Sequence, residues 1–135
     1  MNNTPYQVLA LICLGAIVYF TFWPRPEVKL EHQPAADAAG EVWQLTRAMR
    51  NYVSTYATTP PTDPLALRKA LEGENPRRLV FIKIDPKKLS KEGEFLDPWQ
   101  TPYLYGVTVE GYAWTYSYGP NKIDEGGRGD DVASW

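Results

Sequence analysis

The uncharged run from Tyr6 to Trp23, YQVLALICLGAIVYFTFW, restricts the placement of this chain more than any other feature of its sequence. As a helix rising about 1.5 Å per residue, the run would span roughly 27 Å, which matches the hydrocarbon core of a bilayer. Aromatic residues gather at both ends of the run, as they do at membrane interfaces. Residues 1–23 are therefore predicted to form a transmembrane anchor helix.

A cleaved signal peptide and a buried core helix are the alternative interpretations of this run. A signal peptide needs a basic leading segment and a small-x-small cleavage site. Neither MNNTPYQ before the run nor TFWPRP at its end provides them, and a core helix is seldom so unbroken. Arg25 and Lys29 follow the run while no basic residue precedes it, so the positive-inside rule weakly favours a cytoplasmic domain.

Residues 24–34, PRPEVKLEHQP, contain three prolines and predict an extended linker, because proline blocks helix propagation. His32 in this linker is expected to be solvated. One histidine and one cysteine cannot build a zinc site. Residues 35–135 are then left as one small domain, and the formal net charge of -2 gives no basic footprint for nucleic acid.

The first part of this domain has a helical pattern. Apolar residues recur at steps of three and four along residues 35–57, which predicts an amphipathic helix with one buried face. Asp63 is expected to cap a second, short helix with Pro64 in its first turn. The apolar positions of the first helix are Val42, Leu45, Met49, Tyr52 and Tyr56.

The second part of the domain has the composition of β-strands. LVFIKI at residues 79–84 predicts one strand, and residues 103–109 and 112–118 predict a hairpin around Glu110-Gly111. The order of elements predicts an α+β domain in which a helix lies across a small antiparallel sheet. The first helix should bury Met49 and Tyr52 against the hairpin.

The C-terminal segment GPNKIDEGGRGDDVASW combines glycines with oxygen-bearing side chains and predicts a calcium-binding loop. Ca²⁺ takes six to eight oxygen ligands, and glycines let a backbone turn sharply around an ion. The spacing is not that of an EF-hand. An ordinary acidic tail is the alternative, but Val132 and Trp135 should pack back onto the domain. The side-chain oxygens belong to Asn121, Asp124, Glu125, Asp130 and Asp131.

Catalysis is not indicated by any arrangement of residues. A serine–histidine–aspartate triad is not credible with a single histidine. The tail carboxylates could in principle serve an anchored hydrolase, but they lie in a glycine-rich loop without an evident cleft. Arg128-Gly129-Asp130 spells an adhesion tripeptide and is interpreted as coincidence. The protein is expected not to be an enzyme.

Several of these segments together resemble the major pseudopilin of type II secretion systems. The similarity covers residues 35–135 and is most specific at residues 97–103, DPWQTPY, and in the terminal run YSYGPNKIDEGGRGDD. It implies a membrane-embedded N-terminal helix, a small sheet packed on a helix, and a calcium-binding C-terminal loop. It also implies assembly into a short periplasmic filament together with the secretion machinery.

The same resemblance implies a set of metal ligands. They are the carbonyl of Tyr118 and the side chains of Asn121, Asp130 and Asp131, with Asp124 as a further candidate. Asn121 stands where the family usually has Asp, which should weaken the site because one negative charge is lost.

The N-terminus departs from the family's pattern. No basic leader precedes the apolar run, Gly15 lies inside it, and no Glu occurs before Glu27. Two functions are therefore expected. The first is a structural, non-enzymatic subunit of a type II secretion or related filament, held in the bacterial inner membrane with its domain in the periplasm. The alternative is a membrane-tethered, calcium-stabilised binding module that forms no filament. Expected partners are the membrane and like subunits or other secretion components, without nucleic acid or a small-molecule substrate.

Overall fold

A computed structural model of the protein describes residues 33–135, so the predicted anchor and residues 24–32 of the predicted linker lie outside the described residues. Within the described part the chain is α+β, with two helices and a three-stranded antiparallel sheet of order β1-β2-β3. Between residues 33 and 135, no helix has the length and apolar character needed to cross a membrane. The elements are α1 (Pro34–Tyr56), α2 (Pro64–Leu71), a 3-10 helix (Pro86–Lys88), β1 (Leu104–Val107), β2 (Ala113–Ser117) and β3 (Val132–Ala133).

Both predicted helices are confirmed, and local chemistry explains where they begin. Helix α1 begins at Pro34, one residue earlier than predicted, because proline at a first helical position lacks only an N–H that would be unpaired anyway. Gln33 before it is extended, with φ -100° and ψ 100°. Helix α2 begins after Asp63. The Oδ1 atom of Asp63 accepts a hydrogen bond of 2.8 Å from the N–H of Ala66, which confirms the predicted N-cap.

The predicted hairpin is confirmed with shorter strands. Leu104 pairs with Tyr116, and Val107 pairs with Ala113. The N–H of Thr108 donates to the carbonyl of Tyr112 over 2.9 Å and closes the turn. Side chains alternate along β2, so that one row is buried on the inner face of the sheet and the other lies on the outer face.

The strand predicted for residues 79–84 is wrong. This segment forms no strand, and the N–H of Phe81 donates instead to the carbonyl of Leu71 at the end of α2 over 2.8 Å. The side chain of Asn75 holds the preceding turn, accepting from the N–H of Leu79 and donating to the carbonyl of Ala70. The third strand of the sheet is β3, which comes from the C-terminal segment.

The core lies between α1, α2 and the inner face of the sheet. Met49 is 1% exposed and belongs, with Tyr52 and Ala113, to one hydrophobic cluster. The expected contact between this helical face and the hairpin is therefore confirmed. Tyr103 belongs to the same cluster, and its hydroxyl donates to Glu41 Oε2 on α1 over 2.7 Å.

Stability should fall at high pH because of two tyrosines in this region. Burial, and then the bond to Glu41, raises the pKa of Tyr103 well above its ordinary value, and burial raises the pKa of Tyr105 to about 12. An unfolded chain loses these protons near pH 10. The free energy of unfolding is therefore expected to be unaffected by them below about pH 10 and to decrease as the pH rises toward 12.

Urea unfolding of the full chain at pH 8, 10 and 11 measures this decrease. Tyr103→Phe should make the decrease smaller, whereas Tyr112→Phe should leave it unchanged, because Tyr112 is exposed on the hairpin turn. Equal pH dependence in the wild type and in Tyr103→Phe would contradict the prediction.

Candidate metal site

The C-terminal segment returns to the sheet and closes a loop of residues 118–131. Strand β3 pairs with the end of β2, with Ser117 opposite Val132 and Tyr116 opposite Ala133. Ser134 adds two bonds of 3.0 Å to the backbone of Thr115, one from its N–H and one to its Oγ. The predicted return of Val132 is confirmed, and the loop is fixed at both ends.

An aromatic cluster attaches the same loop to the outer face of β2. The ring centroids of Tyr116 and Trp135 lie 5.6 Å apart, and those of Tyr116 and Tyr118 lie 6.0 Å apart. The indole of Trp135 also packs against the backbone of Gly127 inside the loop. Trp135 is 68% exposed, so it returns to the domain as predicted but covers the loop and not the core.

Two of the predicted ligands meet across the loop. The N–H of Asn121 donates to Asp130 Oδ2 over 3.1 Å, and Asn121 Nδ2 also contacts Asp130 Oδ1. Asn121 Oδ1 accepts from the N–H of Ile123 over 2.6 Å. Asn121 and Asp130 are nine positions apart in sequence, and the loop folds so that their side chains lie together.

Asp131, the third predicted ligand, has one satisfied and one unsatisfied oxygen. Its Oδ2 accepts from the N–H groups of Glu125 (3.0 Å) and Gly127 (2.8 Å). Its Oδ1 is buried and has no hydrogen-bond partner in the described part of the chain. A buried carboxylate oxygen without a donor or cation is costly, so this atom indicates a missing partner.

Asp124 and Glu125 both accept hydrogen bonds within the loop. Asp124 Oδ1 accepts from the N–H of Gly126 (2.9 Å) and from the Tyr116 hydroxyl (3.3 Å), so its position is set by the aromatic cluster. Glu125 belongs to the oxygen-bearing residues of the predicted loop but not to the ligands that the resemblance implies. Its Oε2 accepts from the N–H of Asp130 over 3.0 Å. Glu125 and Asp130 are five positions apart, and no local sequence pattern predicts a bond at this spacing.

Sequence reasoning also missed a buried group at the entrance to the loop. Asp97 is 1% exposed, and its Oδ1 accepts from the N–H groups of Trp99 (2.9 Å) and Thr101 (2.8 Å). Its Oδ2 accepts from Ser117 Oγ over 2.5 Å. Ser117 Oγ in turn accepts from the N–H of Gly119 over 3.0 Å. An Asp-Pro turn followed by Thr was the only sequence signal for this network.

The chemical type of the loop's donor atoms decides which kind of metal ion they suit. Over residues 33–135, no group of three acidic, histidine or cysteine side chains converges as a metal cluster. A calcium site does not require one, because Ca²⁺ also takes amide and backbone carbonyl oxygens. The loop offers Asn121, Asp130 and the unsatisfied oxygen of Asp131, all of which are hard oxygen donors. Their chemical type is the one that a hard cation such as Ca²⁺ takes.

A cavity of about 270 Å³ beside α1 is a weaker candidate for a functional site. The two oxygens of its Glu41 accept from the Tyr103 hydroxyl and from Lys88 Nζ, so this carboxylate is already used in packing. The bond to Glu41 also raises the pKa of Lys88. The Glu41 carboxylate is therefore not available to a ligand in this cavity.

Comparison of the chain with protein-family models, with curated proteins and with solved structures finds no match.

Proposed function

We propose that this protein is a structural, non-enzymatic, membrane-anchored subunit whose C-terminal loop is stabilised by bound Ca²⁺. The observation that carries the proposal is the buried, unpartnered Oδ1 of Asp131 in a loop built from hard oxygen donors. Asn121, Asp130 and Asp131, with the carbonyl of Tyr118, would hold the ion. Asp124 is an additional candidate from its place in the same loop.

Charge gives a second reason for a cation in this loop. Asp130 and Asp131 are adjacent, and the Oε2 atom of Glu125 accepts from the N–H of Asp130. Carboxylates gathered in one loop repel one another. A divalent cation offsets the repulsion and stabilises the folded loop, because the unfolded chain has no such site.

The subunit is proposed to belong to a type II secretion filament or a related one, with residues 1–23 in the bacterial inner membrane and the domain in the periplasm. The resemblance of residues 35–135 to the major pseudopilin supports this assignment, and so does a fold in which α1 crosses a small sheet closed by the C-terminal loop. Its partners would be like subunits or other secretion components.

A membrane-tethered module that forms no filament is the second candidate, and one observation favours it. Helix α1 begins at Pro34 after an extended Gln33, whereas the family continues one long helix from the membrane into the domain. Mass spectrometry of the mature N-terminus separates the two candidates. A peptide beginning at Met1 or Asn2 would favour the tethered module, and a processed N-terminus would favour the filament subunit.

Calcium is expected to stabilise the wild-type protein against thermal unfolding. The increase in the free energy of unfolding should follow RT ln(1 + [Ca]/Kd), which is about 2.7 kcal/mol at a hundredfold excess of calcium over Kd. Asp131→Asn should abolish the increase, because it removes the charge beside the unsatisfied oxygen. Asn121→Asp should strengthen the calcium effect by restoring one negative charge, and Mg²⁺ should replace calcium poorly because it prefers a smaller octahedral shell.

Melting of the full chain in EDTA and then in millimolar calcium measures this effect. Glu92→Gln is a matched control, because it removes one exposed carboxylate outside the loop and should keep the full calcium response. Identical melting temperatures of the wild type in EDTA and in calcium would refute the metal site. The loop would then be an ordinary acidic terminus.

A further inference from the structure

The hydroxyl of Ser117 joins two separate parts of the molecule. It donates to Asp97 Oδ2 over 2.5 Å and accepts from the N–H of Gly119 over 3.0 Å. Ser117 is 0% exposed, so no water competes for either bond. On one side of the hydroxyl lies the turn of residues 97–101, and on the other begins the loop of residues 118–131.

The direction of these bonds is fixed by chemistry. A carboxylate oxygen only accepts hydrogen bonds, so the single proton of the Ser117 hydroxyl must go to Asp97. The lone pairs of the hydroxyl are then available to the N–H of Gly119. Asp97 is itself held by the amides of Trp99 and Thr101, so the acceptor for Ser117 cannot easily move.

The N–H of Gly119 controls the orientation of a proposed calcium ligand. Tyr118 C=O and Gly119 N–H belong to one planar peptide group, and the described part of the chain contains no cis peptide bond. In a trans peptide the two groups point in opposite directions. Because the N–H is bonded inward to Ser117, the carbonyl of Tyr118 must point away from Ser117.

The position of Gly119 supports the same conclusion. A Cβ on Gly119 would lie 2.1 Å from the carbonyl oxygen of Asp130, so the first and last parts of the loop meet at this residue. Gly119, which is joined to Tyr118 by this peptide, is therefore packed against the backbone of Asp130.

We propose that Ser117 is a positioning residue for the calcium loop and that it couples the loop to the turn of residues 97–101. This inference rests on the proposed calcium site. Coupling between two sites is reciprocal, so calcium binding should also make the turn more rigid. Hydrogen exchange at the amides of Trp99 and Thr101, which bond to Asp97, reports this effect.

Calorimetric titration of the full chain with CaCl₂ tests the first half of the inference. Ser117→Ala should weaken calcium binding about tenfold, which is the effect of losing one hydrogen bond of ordinary strength. Ser90→Ala is a matched control, because Ser90 Oγ also accepts from backbone N–H groups, those of Glu92 and Glu94, but has no bond to the loop. The control should keep wild-type affinity.

Amide hydrogen exchange tests the second half and does not depend on any variant folding well. Calcium should slow the exchange of Trp99 and Thr101 in the wild type and in Ser90→Ala, and should have little effect on them in Ser117→Ala. Unchanged exchange at both amides in calcium-loaded wild type would overturn the coupling. Equal calcium affinity of Ser117→Ala and the wild type would overturn the positioning role.

Two results distinguish the calcium site from the coupling through Ser117. A wild type that binds no calcium would overturn the calcium site and this inference together. A wild type that binds calcium without any change at Trp99 and Thr101 would overturn this inference alone.

Discussion

Replacing Asp97 by alanine is expected to lower the free energy of unfolding by about 3–6 kcal/mol. The change leaves three donors without an acceptor, namely the partly buried N–H groups of Trp99 and Thr101 and the buried hydroxyl of Ser117. Each donor left unpaired costs about 1–3 kcal/mol, with the partly buried amides at the low end of this range, and a single water has only two lone pairs to offer the three donors. Few substitutions outside an apolar core have an effect of this size.

Asp85→Ala is the control for this prediction. Asp85 Oδ1 accepts one bond, of 2.9 Å, from the N–H of Lys87 at the start of the 3-10 helix, and the residue is exposed. Asp85→Ala should therefore lower the free energy of unfolding by only about 1 kcal/mol, as for an ordinary cap. Urea unfolding of both variants gives the comparison. Equal losses in the two variants would mean that Asp97 is no more than a local cap.

Gly119→Ala is expected to lower the free energy of unfolding by about 2–5 kcal/mol. Gly119 has φ +65°, and this left-handed conformation costs an alanine about 1–2 kcal/mol. In addition, the new Cβ would lie 2.1 Å from the carbonyl oxygen of Asp130, and backbone must shift to make room. Overlap of this kind typically adds about 1–3 kcal/mol.

Gly126→Ala separates the two causes. Gly126 has a similar φ of +68°, but a Cβ there meets nothing within 4 Å. It should therefore show only the conformational cost. Calcium titration of both variants adds a second measurement, since Gly119→Ala should also weaken binding by moving the Tyr118 carbonyl. A loss of stability in Gly119→Ala no larger than in Gly126→Ala would show that the loop adapts without cost.

Local periodicity was enough to predict the helices and the hairpin. Helix α1 has a buried face at steps of three and four residues, and this face lies on the sheet as expected. The cap at Asp63 and the turn after Thr108 are also local, because their bonds join residues at most four apart. Predictions of this kind depend on few distant contacts and are therefore reliable.

Long-range pairing was not predictable in the same way. Residues 79–84 have the composition of a strand, but β-propensity describes how well side chains fit a half-buried sheet and does not create a partner. The strand that does join the sheet, β3, has only two residues and lies in a segment that resembles a loop.

The candidate site shows the same limit. Its oxygen-bearing residues could be recognised from composition, whereas the unsatisfied oxygen of Asp131 depends on how the whole loop folds. The bond between Asp97 and Ser117 joins residues 20 apart in sequence, and no local pattern contains it.

The unpaired segment of residues 79–84 has a consequence for the solubility of this domain. Leu79 is 41% exposed even in the folded protein, and the segment combines apolar, β-branched residues without a proline. Such six-residue stretches can start intermolecular cross-β aggregation when a domain opens. Arg77 and Arg78 precede the segment and Pro86 follows it closely, which are the gatekeeper residues that oppose stacking of identical strands. Aggregation of a partly unfolded subunit would therefore be expected to begin at this segment, with the two arginines as the main barrier against it.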